Sequence, residues 1–247
     1  MRKNNYLVTG ATSDVGAALI DRLLAADEEA TVLAQGHSSL ATLAPLAERY
    51  GARLRTMNVD LADEGAVEAF LGLLGKAFDM PTHFVHLPAL RVVNAKFKGF
   101  DHERFKLDMQ VQVGSAAAIA KVVLPAMAKQ GFGRVLFMLS SYALGAPPKF
   151  AAAYVTAKSA LMGLAKSLAV EFAPKGVTVN CVAPGMMETK FLADTPDLVV
   201  QQSAADNPMG RNATPADVVP AMAFLLGDEA GFITGATLPI TGGASIV

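Results

Sequence analysis

Short apolar runs alternate along the chain with longer segments in which apolar residues return at helical spacing. Tyr6-Leu7-Val8 comes first, followed by a Gly/Thr/Ser turn and a helical pattern from Val15 to Ala26. Thr31-Val32-Leu33-Ala34 reads as the next strand and Ser39 to Tyr50 as the next helix. Arg53 to Val59 and His83 to Leu87 predict two further strands, with a helix between them from about Asp63 to Phe78. Helices are expected from about Asp101 to Lys129, from Tyr154 to Phe172 and from Thr214 to Leu226, and strands over Arg134 to Leu139, Val177 to Val182 and Thr237 to Ile240. The two periods, two for strands and 3.6 for helices, carry these assignments. Strand and helix in regular alternation predict an α/β fold: a doubly wound parallel sheet of about seven strands, helices on both faces and right-handed crossovers. Pro184 to Asn212 is the one long irregular segment, and loops of that length inside a compact domain are usually functional. No internal repeat, low-complexity tract or Pro/Gly/Ser linker interrupts the pattern, so residues 1–247 read as one domain.

Composition narrows this. Hydrophobic residues make up 52% and charged residues 17%, enough to bury a large core and too apolar for a disordered chain. Lys plus Arg is 21 against 22 Asp plus Glu, which excludes nucleic-acid binding through bulk positive charge. The one cysteine, Cys181, lies in the apolar run Val177 to Ala183; it excludes a disulfide framework and a Cys-based zinc site, and a buried inert thiol is expected. His37, His83, His86 and His102 show no metal-ligand spacing, so no metal is expected. The apolar stretch after Arg2 and Lys3 is too short for a signal-peptide core, and no long uncharged run predicts a membrane span, so a cytoplasmic protein without membrane contact is expected.

The first strand runs into Thr9-Gly10-Ala11-Thr12-Ser13-Asp14-Val15-Gly16 at the head of the first helix. Backbone N–H groups at a helix start have no intrahelical partner and carry partial positive charge, so such a turn can hold a pyrophosphate. Gly10 allows the tight turn and Gly16 the close approach of helix to sheet. Alone, the segment also fits an ordinary connection with Ser13 or Asp14 as N-cap, as the lesser option. Asp14 stands where a glycine would allow the closest phosphate approach, and its carboxylate is expected to bond the helix N–H groups.

Tyr154 and Lys158 are four apart at the start of a helical stretch and so share a face. A phenol titrates near 10, and bringing it to about 7 takes roughly 4 kcal/mol in favour of the phenolate. A neighbouring ammonium, joined by a cationic nicotinamide ring, is expected to supply that and make Tyr154 a general acid or base. The strand before it ends at Ser140-Ser141, at the carboxyl edge where sites of open parallel sheets lie.

Together these residues resemble the short-chain dehydrogenase/reductase family, over nearly the whole chain and in the right order. Ser141 lies 13 positions before Tyr154, Pro184-Gly185 is followed by Thr189, and Ile233-Thr234-Gly235 and Thr241-Gly242-Gly243 look like the family's C-terminal signature. The resemblance implies a proton-transferring Tyr154, a Ser141 that bonds the substrate oxygen, and a Lys158 that binds the nicotinamide ribose and tunes Tyr154. It implies that Gly10, Thr12, Ser13, Asp14, Val15 and Gly16 hold the pyrophosphate and that Asp60-Leu61 meets the adenine. Leu87-Pro88 would border the cofactor. Pro184, Gly185, Met187 and Thr189 would hold the carboxamide. The chain departs from the family at Asp14, at His86-Leu87-Pro88-Ala89 where Asn-Asn-Ala-Gly is usual, and at Gln112, which stands for the Asn of a lysine-linked proton relay.

NAD enzymes place an acid near the end of the second strand. Here that window reads Ala34-Gln35-Gly36-His37-Ser38-Ser39, without an acid, and His37 and Ser38 could bond a 2′-phosphate. The reading is therefore NADP(H), with NAD(H) as the lesser option. The C-terminal signature and the Pro-Gly-Met-Met-Glu-Thr segment look most like 3-oxoacyl carrier-protein reductases, implying a small or carrier-bound carbonyl substrate. Arg91, Lys96, Lys98 and Lys106 would face an acidic carrier or simply solvent. A homotetramer or homodimer is expected, with Ala116, Ala117, Ala118 and Ala120 at the contact. The alternative is a dinucleotide-binding partner subunit with weak turnover, which the departures favour and the Ser-Tyr-Lys set opposes.

Overall fold

The computed structural model describes residues 3–37 and 39–245. Among them the chain forms one seven-stranded sheet: β1 (Asn5–Thr9), β2 (Thr31–Gly36), β3 (Leu54–Asn58), β4 (His83–His86), β5 (Gly133–Met138), β6 (Val177–Pro184) and β7 (Thr237–Ile240). The order is β3-β2-β1-β4-β5-β6-β7, with every pairing parallel. All seven expected strands are present. The winding reverses between β1 and β4, and the crevice beyond their carboxyl ends is where such sheets bind ligands.

Each face of the sheet is covered by its own core. Leu19, Ile20 and Leu23 of α1 (Asp14–Ala26) pack with Val218 and Met222 of α8 (Pro215–Leu226) over Val8, Val85 and Leu136. The other face buries Phe70 of α3 (Glu64–Leu71), Val123 of α5 (Ser115–Gln130) and Leu161 of α6 (Ala152–Phe172) against Phe84, Val135 and Phe137. Two-sided cover explains why β4, β5 and β6 are buried along almost their whole length rather than at alternate residues. Cys181 is 1% exposed inside the second of these cores, and burial pushes its thiol up to about 12.

Three expectations need correction. The helix expected to run to Phe78 stops at Leu71: Gly75, at φ +76°, turns the chain so that its N–H reaches Phe78 O at 2.7 Å. The helix expected from Asp101 to Lys129 is two helices, α4 (His102–Met109) and α5, joined by a π turn over Gln110–Gly114. Gly114 closes that turn; a Cβ there would crowd only the end of the Gln110 side chain, 2.3 Å from its Oε1. By length and composition His102–Gln130 would suffice to cross a bilayer, but half of its most apolar window is packed inside the fold. Lastly, the irregular segment contains a helix, α7 (Asp197–Asp206); α2 (Ala44–Tyr50) completes the set.

Candidate active site

A cavity of about 720 Å³ opens at the carboxyl edge of the sheet, between the glycine-rich turn and the start of α6. Gly10 sits at φ +68°, so close to the end of β4 that a Cβ would lie 2.9 Å from Pro88 N. A Cβ on Gly16 would meet Ala11 O at 2.6 Å, which is why α1 can start hard against the turn. Ser13 is the N-cap and accepts from Gly16 N at 3.1 Å. The buried Gln35 braces the turn from β2: its Oε1 accepts from Gly10 N at 3.0 Å while its Nε2 donates to Val59 O. Gly10, Thr12, Ser13, Asp14 and Val15 border the cavity; Gly16 lies beneath it. The Asp14 carboxylate bonds no helix N–H, contrary to expectation. With Ser13 already capping the helix, it accepts the Lys190 N–H, 176 residues away, at 2.7 Å, and stands 3.9 Å from Lys190 Nζ.

At the opposite end stand Tyr154 and Lys158. The serine that borders the cavity together with Tyr154 is Ser140, not Ser141. Ser140 borders the cavity and caps a short turn over Ser141–Ala143, accepting from Tyr142 N at 3.3 Å; Ser141 is turned out of the cavity lining. The connection from that serine to the tyrosine is thus one residue longer than the count of 13 implies, and the turn absorbs the extra residue. Tyr142 adds its ring edge-on to Tyr154, centroids 6.4 Å apart. Lys158 is 1% exposed; its Nζ donates to Met138 O at 2.8 Å and lies 5.7 Å from the Tyr154 ring centre.

The titration of this pair runs against the expected phenolate. Burial pushes Tyr154 up to about 12, opposed by the Ser140 hydrogen bond and reinforced by Tyr142 and Asp108. Burial also brings Lys158 down to about 7, opposed chiefly by Asp108. In the chain alone, both groups lose more hydration than they regain from each other. The phenol is protonated throughout the neutral range.

Gln112 does not border the cavity. It sits in the π turn, fully buried, and its carbonyl accepts from His86 Nε2 at 3.1 Å. His86 Nδ1 in turn accepts from Thr9 Oγ1 at 2.8 Å. A carbonyl can only accept, so the proton of the neutral ring is on Nε2. Burial, helped by Lys158, holds His86 down at about 3. The ring therefore ties β1 to β4 and to the π turn, the work that an Asn would do at the end of the fourth strand. The Gln112 amide donates to Asp108 Oδ1 at 3.1 Å.

Leu87, Pro88, Asp60, Leu61 and His37 border the cavity on the side of β1 and β4. The acid-free stretch after β2 is not acid-free in space: Asp60, from beyond β3, stands 3.4 Å from His37 Nδ1. Ser38 lies outside the described residues. Pro184, Gly185, Met187 and Thr189 border the cavity from β6. The segment after them is fastened on both rims, by Lys190 to Asp14 and by an ion pair between Asp194 and Arg91. Arg91 and Lys106, the latter bonded to Glu103, are thereby engaged within the chain, whereas Lys96 and Lys98 stay exposed.

The comparisons agree with this geometry. A family model, adh_short_C2, described as "Enoyl-(Acyl carrier protein) reductase", matches residues 10–245. The chain belongs to the short-chain dehydrogenase/reductase family. It is 32% identical over 246 residues to the acetoacetyl-CoA reductase of Allochromatium vinosum, covering 96% of each chain. It is 31% identical to the 3-oxoacyl-[acyl-carrier-protein] reductase of Haemophilus influenzae, covering 96% of each. Among solved structures, a 3-oxoacyl (acyl-carrier-protein) reductase from Agrobacterium tumefaciens with NADP bound superposes with a TM-score of 0.87 at 28% identity, covering 97% of this chain and 93% of that one. Family membership makes the chain an NAD(P)-dependent oxidoreductase.

The residues present fit a dinucleotide. The cradle at Gly10, Gly16 and Gly36 is one that side chains would fill, since a Cβ on Gly36 would sit 2.7 Å from Thr12 Cγ2. Three residues of this short-chain dehydrogenase/reductase escaped sequence reasoning. Ser140 was hidden by a spacing that its neighbour satisfied. Gln35 was read only as a non-acid. Asp108 carried no motif at all, and its sole signal is a carboxylate four residues before Gln112.

Proposed function

We propose that this chain is an NADP(H)-dependent carbonyl reductase acting on a 3-oxoacyl thioester or a related small ketone. The observation that carries the reading is that Ser140, Tyr154 and the buried Lys158 border one cavity, with the tyrosine one helical turn from the lysine. When bound, NADPH supplies the hydride that the carbonyl carbon takes up. Ser140 donates a hydrogen bond to the carbonyl oxygen and fixes its place beside Tyr154. As negative charge grows on that oxygen, Tyr154 gives it a proton, so that carbonyl becomes alcohol. An alkoxide is far more basic than a phenolate, and the raised phenol still transfers downhill. Lys158 holds the ribose and stabilises the phenolate left behind. Gly10, Thr12, Ser13, Asp14 and Val15 seat the pyrophosphate, His37 meets the 2′-phosphate with Asp60 behind it, and Thr189 with Met187 orients the carboxamide.

The relatives that reduce acetoacetyl-CoA and 3-oxoacyl carriers support the substrate class, as does an apolar cavity mouth bordered by Leu90, Val92, Phe191 and Leu192. Tyr and Lys at a spacing of four argue for ketone rather than enoyl reduction. The test is to mix the protein with NADPH and a short 3-oxoacyl thioester and follow loss of the reduced cofactor. Turnover, with NADPH bound more tightly than NADH in a fluorescence titration, is expected. Tight NADPH binding with no oxidation by any ketone would overturn the reductase reading.

A further inference from the structure

The turn after β5 carries a second phenol that the chemistry above leaves unused. Tyr142 borders the cavity from the turn over Ser141–Ala143, and its ring stands edge-on to Tyr154 with the planes at 83°. The turn is fastened at both ends. Ser140 Oγ accepts from Tyr142 N at 3.3 Å and the Ser140 carbonyl from Ala143 N at 3.0 Å, while Leu144 packs against the core that contains Phe137. The Tyr142 ring is therefore held in place before any ligand arrives, but its hydroxyl has no hydrogen-bond partner among the described residues. The buried Tyr50, by contrast, gives its own hydroxyl to Asp21 Oδ1 at 2.6 Å. A tyrosine O–H withdrawn from solvent ordinarily finds an acceptor. Tyr142 is half-buried, and burial pushes its phenol up, so it stays a donor through the neutral range. Tyr142 also helps to push Tyr154 up, which puts the two phenols within electrostatic reach of each other.

From β5, the turn after it and α6, the cavity receives three hydroxyls: those of Ser140, Tyr142 and Tyr154. In the reductase reading Ser140 and Tyr154 are engaged by the oxygen that becomes the alcohol. The wall built by α4, the π turn and the segment after β6 contributes Leu107, Val111, Phe191 and Leu192, whose side chains form no hydrogen bonds. A further oxygen on the substrate, close to the reacting one, therefore has the Tyr142 hydroxyl to bind.

We propose that Tyr142 is a specificity-determining residue: its hydroxyl donates to a second carbonyl oxygen of the substrate, one methylene beyond the ketone, so that the enzyme selects 1,3-dicarbonyl compounds such as 3-oxoacyl thioesters over ketones that carry no second oxygen. The inference rests on the reductase reading and deepens it. A 3-oxoacyl thioester presents its two carbonyl oxygens side by side, and the neighbouring phenols meet them as a pair. A monoketone of the same length lays a methylene against Tyr142 instead. It strips water from the hydroxyl and returns no hydrogen bond, which is how a polar site rejects an analogue that lacks the matching group. Because the phenol is only half-buried, the discrimination is that of one neutral hydrogen bond, about tenfold.

The test compares wild type with Tyr142→Phe, which keeps the ring and the turn, on two substrates: a short 3-oxoacyl thioester and the matched monoketone in which a methylene replaces the thioester carbonyl. Wild type should favour the thioester in kcat/KM. In Tyr142→Phe that preference should shrink about tenfold, chiefly through a raised KM for the thioester, because the bond is made in the ground state and the transition state alike. The NADPH dissociation constant should stay within about twofold of wild type. An unchanged preference overturns the inference, and it does so even where both substrates slow together, which would make Tyr142 a packing partner of Tyr154 alone. A wild type that reduces the monoketone as readily as the thioester overturns it too. Should the monoketone be too slow to measure, the thioester decides: a KM raised about tenfold upholds the inference and a wild-type KM overturns it. A wild type that binds NADPH and reduces no carbonyl compound overturns the reductase reading, and the inference falls with it; an active wild type whose preference survives Tyr142→Phe overturns the inference and leaves the reading standing.

Discussion

At the scale of single residues the site is decided by the hydroxyls that border one cavity. Tyr154→Phe removes the proton donor and keeps the ring. It should cost about 10³-fold or more in kcat, near the upper range for general acid catalysis, while NADPH affinity in a fluorescence titration stays within about twofold. Retained turnover would refute the assignment. The serine is a sharper test because two compete. Ser140→Ala should cost about 10²-fold in kcat, as loss of an oxyanion donor does, and Ser141→Ala only a few-fold. The reverse order would restore Ser141. The chemistry-bearing types were legible in the sequence, and so was the helix that pairs Tyr154 with Lys158, because i and i+4 spacing is local. The choice between Ser140 and Ser141 was not, because it depends on how the turn over Ser141–Ala143 takes up one extra residue. The protonation of the pair was not legible either. Spacing says that an ammonium stands near a phenol; it does not say that both are deep enough for burial to outweigh their attraction.

At the scale of elements, strand and helix periods predicted every strand and most helices, since both faces of the sheet are buried and the periods are imposed by that burial. The π turn was not predicted. Its backbone is held by a tertiary contact, His86 to the Gln112 carbonyl, which does not alter local periodicity. The same contact gives a pH dependence. His86 is held at about 3 in the fold and returns to about 6.5 when unfolded. Between these values the unfolded chain binds a proton that the folded chain refuses. The contribution of the neutral ring is complete above about pH 6.5 and is lost progressively as pH falls toward about 3. Urea denaturation at about pH 7.5 and about pH 5 should show wild type losing about 2 kcal/mol more than His86→Gln between the two conditions. Equal losses would mean that His86 is not held neutral. Asp14 belongs at this scale too. Read locally it is a charge misplaced in a phosphate turn; in the fold it fastens the segment after β6 across the cavity mouth, a pairing that spans 176 residues and has no local trace.

At the scale of the whole molecule, the surface carries apolar groups that a single chain leaves wet. Phe232 is fully exposed, and Phe224 of α8 and Leu238 of the edge strand β7 are exposed as well, with Val170 of α6 at 79%. The expected alanine contact is only partly available: Ala116 and Ala120 are buried in the core beneath α5, Ala117 and Ala118 are half-buried, and Ala118 packs against that same core. Large apolar side chains exposed on the last helix, on the last strand and between them are costly in water, and we propose that they form a contact surface. With a net charge of -1, little repulsion opposes association of identical chains. A closed homodimer or homotetramer would cover these groups by symmetry. Light scattering at micromolar concentration should therefore give a dimeric or tetrameric mass, and Phe232→Asp combined with Leu238→Lys should lower it while NADPH binding persists, because neither residue borders the cavity. A monomeric wild type would leave Phe232 and Leu238 without a role in assembly. The cavity itself is built from one chain's β1, β4, β5, β6 and α6, so assembly and catalysis are separable by experiment: a dissociated double variant that still binds NADPH would establish that the partner chain supplies stability rather than a binding group.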